Sequence, residues 1–83
     1  MKELDDLLND LKNHLLTKEL ELKNNPNFNS YTESFLENRR RDIESFQYAC
    51  KNCDTNSVYQ KEIIANFRID ADKIKLEIDK ITC

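Results

Sequence analysis

The side chains with the most chemistry to offer are three cysteines and a single histidine. Cys50 and Cys53 form a C-x-x-C, and Cys83 stands far downstream. A structural zinc needs four ligands, and only Cys83 and His14 remain to complete such a set. The helical pattern described below puts Cys83 and the Cys50/Cys53 pair at opposite ends of a bundle, with His14 midway along its first helix. One chain therefore does not gather the four groups. A redox dithiol sits best at a helix N-terminus, where the macrodipole stabilises the thiolate. This pair falls at a helix C-terminus, where the dipole opposes it. Structural or incidental thiols are the expectation, a thiol or zinc role for Cys50 and Cys53 is the rival, and no metal or other cofactor is expected.

His14 on a helix face is conceivable as a phosphorelay residue. The following Leu15-Leu16-Thr17 lacks the small and basic residues that usually accompany such a histidine, so partial packing at the edge of a leucine stripe suits it better. No Ser, Cys or carboxylate has a general base suggested by its spacing. The many carboxylates are distributed over polar faces, as solvated surface. No catalytic residue is expected, and the chain reads as a non-enzyme.

The elements that position these groups follow from composition and periodicity. The 83 residues, read as one domain over residues 1–83, include no Gly, one Pro and no Trp. Sheets need turns, and turns use Gly and Pro, so long helices with short polar connections fit better. Charged residues make up 35%, which raises the alternative of disorder, but the apolar residues are regularly spaced. Leu4, Leu8, Leu11, Leu15 and Leu22 form a helical stripe over about residues 2–23, widened by Leu7. Asp5, Asp6 and Lys23 suit its macrodipole, and Asn24-Asn25-Pro26 stops it. Ser30-Tyr31-Thr32-Glu33 reads as a capping box opening a second helix over about 31–52, with Tyr31, Phe35, Leu36, Ile43, Phe46, Ala49 and Cys50 on its stripe. Ser57-Val58-Tyr59-Gln60 reads as another, opening a third helix over about 58–82 with Ile64, Phe67, Ala71, Ile74, Ile78 and Ile81. The expected fold is all-α, a three-helix up-down-up antiparallel bundle with Phe35, Phe46, Phe67 and Ile74 buried. Arg39 interrupts the second stripe; a turn near residue 55 would set it level with about Asp70–Asp72, where it either pairs with Asp70 or snorkels to water.

The net charge of −3 argues against nucleic acid as a partner. Arg39-Arg40-Arg41 is flanked by Glu37, Asp42 and Glu44 and reads as a solvated helix face. No stretch approaches the roughly 18–20 apolar residues of a membrane span, and the charged first fifteen residues lack a signal-peptide apolar core. A cytoplasmic location with reduced thiols is the expectation. Phe, Tyr, Met, Ile, Asn and Lys supply 34 residues while Gly, Ala, Arg and Pro supply 8, the skew of an AT-rich genome such as that of a phage or mobile element.

Some apolar residues lie off the main stripes. Val58, Ala65, Ile69 and Leu76 fall roughly opposite the core side of the third helix, and Leu16 and Leu20 lie more than about 100° from the leucine stripe of the first. If residue r of the first helix stands level with about r+57 of the third, Leu16 and Leu20 come to the height of Leu76. Leu16, Leu20, Ile69 and Leu76 are therefore the candidate partner-binding residues. In size and helical class the chain is similar to bacteriocin immunity proteins, which are also small cytosolic bundles; no motif carries the likeness and no residue role is transferred. The expected function is a small cytosolic protein–protein interaction module: an inhibitor, an immunity- or antitoxin-like neutraliser, or an adaptor. Its partner is another protein or, in the rival reading, itself as a structural homo-oligomer.

Overall fold

A computed structural model describes residues 2–53 and 58–83 and shows three helices: α1 (Lys2–Lys23), α2 (Ser30–Asn52) and α3 (Gln60–Asp79). They pack as an up-down-up bundle 50 × 16 × 15 Å. α1 carries Glu3 and Asp5 in its first turn and Lys23 in its last, and its leucine repeat buries Leu4, Leu11, Leu15 and Leu22. The Asn-rich connection then folds on itself: the Asn25 carboxamide oxygen accepts from the Asn27 N–H at 2.9 Å and its carbonyl from the Phe28 N–H at 3.0 Å.

The caps differ from the sequence expectation. Asn29, not Ser30, is the N-cap of α2, its Oδ1 accepting from the Tyr31 and Thr32 N–H groups at 2.9 and 3.1 Å. The reason is the use made of Glu33. A capping box needs that carboxylate to turn back on the cap, whereas here it accepts from Arg40 one helical stretch further on, at 3.1 Å. α3 starts at Gln60, with Tyr59 in the N-cap position and its carbonyl accepting from the Ile63 N–H; Ser57 lies outside the described residues. α3 also stops at Asp79 rather than near residue 82. Its end tightens into an Ile81 N–H to Ile78 carbonyl bond of 3.1 Å, which turns Ile81 back into the core.

The core is built from Leu11, Leu15, Leu22, Leu36, Ile43, Phe46, Ala71, Ile78 and Ile81. Phe46 is buried as expected. Phe35 is not: it is 54% exposed, while its neighbour Leu36 is fully enclosed. Thr32, Leu36, Ile43 and Phe46 centre the buried arc of α2, and Phe35 falls about 60° from that centre on a helical projection. Phe67 and Ile74 are half-buried for a related reason. α3 packs most extensively on α1 and least on α2, so its α2-facing flank is only partly covered.

The register between α1 and α3 is also corrected. Asp10 pairs with Lys75, and His14 Nε2 lies 2.8 Å from Asp79 Oδ1; each pair is 65 residues apart. The Cys83 thiol approaches the Leu22 carbonyl, 61 residues away. The simple offset of 57 treats the helices as upright rods, but packed helices cross at about 20°, so heights matched through α2 do not carry over. Leu76 consequently stands near the level of residues 11–15 of α1, well short of Leu20.

Candidate protein-interaction surface

The loosest seam of the bundle, between α2 and α3, opens outward along its length. At the chain's C-terminal end Phe35, Asn38 and Arg39 of α2 face Glu77, Lys80 and Ile81 across a groove of about 500 Å³. Further along α2, Phe46, Ala49, Phe67 and Ile74 surround a mostly apolar pocket of about 380 Å³, edged by Asp42, Ser45, Asp70 and Lys73. The floor is made by Phe46 and Phe67, whose rings meet edge to face at 5.4 Å. Such aromatic pairs favour this T-shaped geometry. Arg39 spans the seam between the two hollows, with Nε 3.2 Å from Asp42 and Nη1 3.6 Å from Glu77. This replaces the expected pairing of Arg39 with Asp70, because a long guanidinium arm reaches toward the α3 C-terminus as its own helix descends.

The sequence carried a signal for this seam. Tyr31, Phe35, Asn38, Asp42, Ser45 and Ala49 recur at alternating steps of four and three, and Asp42 is the one charge among them. Read as part of a single wide core stripe, the row hides the fact that its outer half faces solvent.

Leu16, Leu20, Ile69 and Leu76 are all more than half exposed. By helical projection Leu16 and Leu20 fall away from the buried leucines of α1, and Ile69 and Leu76 fall opposite Ala71 and Ile78 on α3. The α1–α3 seam between them is polar, closed by Asp10–Lys75 and His14–Asp79. His14 and Asp79 share an open hollow with Thr17. The Thr17 hydroxyl donates to the Asn13 carbonyl at 2.9 Å.

At the far end of α2, Cys50 and Cys53 lie beside Leu4, Asp5 and Leu8 of α1. The Cys53 thiol donates to the Cys50 carbonyl at 3.2 Å. Burial pushes the Cys50 thiol up, and the neighbouring Cys53 and Asp5 add to the shift. Cys83 lies at the other end, against Leu22. Among the described residues, no group of three or more His, Cys, Asp or Glu is arranged to hold a metal ion.

Two members of the arginine run, Arg39 and Arg40, are occupied by carboxylates. Arg40 is held by Glu19 of α1 and by Glu33 and Glu37 of its own helix. Burial works to lower the Arg40 pKa, but hydrogen bonds to Glu33 and Glu37 and the charge of Glu19 outweigh it and raise it. Glu19 in turn is held below the usual carboxylate range by its hydrogen bond from Lys23, with Arg40 reinforcing the effect against partial burial. No helix among the described residues is long and apolar enough to cross a membrane. Comparison with protein-family models, curated proteins and solved structures finds no match for this chain.

Proposed function

We propose that this chain is a non-catalytic protein–protein interaction module whose working surface is the α2–α3 seam. The observation that carries the reading is the mostly apolar hollow floored by Phe46 and Phe67, which Arg39 separates from a more polar groove bearing the exposed Phe35 ring. Apolar side chains left open in a pocket and on a neighbouring projection are features of binding surfaces, and an amphipathic helix laid into a groove is a common occupant. The charged side chains that meet one another act as ion pairs between and along helices, which hold the bundle together. Inhibitor, immunity-like neutraliser and adaptor all remain forms of this reading, in the cytoplasm. Leu16, Leu20, Ile69 and Leu76 form the second candidate surface, divided into two strips.

Site-specific photocrosslinking in cells of the native source separates these surfaces. A photoreactive residue at Ser45 reports on the seam, and one at Asn13 reports on the face carrying Leu16 and Leu20. Discrete protein adducts from Ser45 but not Asn13 are expected. Adducts from Asn13 alone move the working surface to α1, and none from either position overturns the interaction reading.

A further inference from the structure

We infer that the occupant of the α2–α3 seam is a second copy of this chain, in an antiparallel two-fold dimer where each Phe35 enters the other copy's Phe46–Ala49–Phe67–Ile74 pocket. The inference rests on the reading of the seam as a binding surface and names its partner.

The first support is self-complementary shape. Projection and pocket occur on the same face of α2: an exposed Phe35 ring, and an open pocket centred on Phe46 about 16 Å further along the helix. A two-fold axis crossing α2 between Arg40 and Arg41 exchanges these two positions. Both projections and both pockets are then satisfied at once, as an isologous interface requires.

Charge gives the second support. Arg39 and Asp42 are equidistant from that axis, so Arg39 of one copy comes level with the partner's Asp42, and the reverse. Phe46 packs on Phe67, which places the same axis close to Lys73 on α3. Lys73 and Asp70 both edge the pocket, and neither joins an ion pair within the chain among the described residues. Antiparallel apposition brings each Lys73 within about one helical turn of the partner's Asp70.

The two-fold arrangement occupies the pocket and covers the exposed Phe35 ring with the same contact.

Sedimentation equilibrium of the purified, reduced full chain tests this against a monomer mass of 9.9 kDa. A species of twice that mass, dissociating on dilution, is expected. Phe35→Asp and Ala49→Glu should each yield monomers. Both positions are exposed, so helicity, and melting at concentrations where the wild type is dissociated, should be retained. Mixing the two variants should restore weaker association, because one unmodified Phe35 then faces one unmodified pocket. A wild type that stays monomeric at all concentrations, a dimer that survives Phe35→Asp, or variants that fail to complement would overturn the inference. Monomeric wild type with Ser45 adducts to a different protein removes only the homodimer. Absence of any adduct removes the interaction reading as well.

Discussion

Leu36→Ala and Leu20→Ala make the same chemical change at two places that the bundle treats differently. Leu36 is 0% exposed and Leu20 57% exposed. Truncating Leu36 removes three carbons from a fully enclosed site, worth about 2.4 kcal/mol at about 0.8 kcal/mol for each. The cavity left in the core cluster raises the loss toward about 3–5 kcal/mol, according to how far the site collapses. A domain of this length has a total stability of roughly 4–12 kcal/mol, so Leu36→Ala sits near the edge of folding. At about 4–8 °C per kcal/mol, the melting temperature should fall by at least roughly 12 °C. Leu20 already keeps more than half its surface in water and leaves no enclosed void, so its loss should stay under about 1 kcal/mol. Urea and thermal unfolding followed by far-UV circular dichroism measure both. Equal losses, or a larger loss at Leu20, would refute the assignment of faces on α1 and α2.

Further outcomes follow from the ion pairs and thiols. Glu19 has its carboxyl held below its ordinary value of 4.5 in the folded state, so its contribution is full above the unfolded pKa and disappears as pH falls through the lower, folded one. Glu19→Gln should cost about 1 kcal/mol at neutral pH and flatten that acidic limb in urea titrations; an unchanged limb would exclude Glu19 as its source. Because Cys50 is half-buried with its thiol pushed up while Cys83 is exposed, iodoacetamide at neutral pH should label Cys83 well before Cys50, as mass spectrometry of timed samples would show. Peptide mapping of oxidised monomer should find no bridge from Cys83 to Cys50 or Cys53, since a disulfide needs Cα atoms within about 7 Å; finding one would break the up-down-up topology.

Local pattern alone determined the three helices and their approximate bounds. The leucine repeat of α1, the Asn24–Pro26 stop and the isoleucine row of α3 each act within one or two turns, and neighbouring residues suffice to express them. Length and short connections then made an antiparallel bundle the economical arrangement, with the C-x-x-C and Cys83 at opposite ends. The exact cap of α2 was not legible, because Asn29 and Ser30 are comparable caps and the choice turned on Glu33 being drawn to Arg40. Nor was the burial of Phe35 or the partner of Arg39. A stripe of seven residues spread from Tyr31 to Cys50 covers more arc than two neighbouring helices can enclose, and only their packing decides which edge is left outside. Tertiary structure therefore decided which apolar groups stay open. By seating α3 on α1 more closely than on α2, it left Phe35, Phe67 and Ile74 lining an open seam instead of closing them into a core. Hydrophobicity marks a side chain as fit for burial. Whether its own chain or another one buries it depends on how three crossing helices share a limited set of faces.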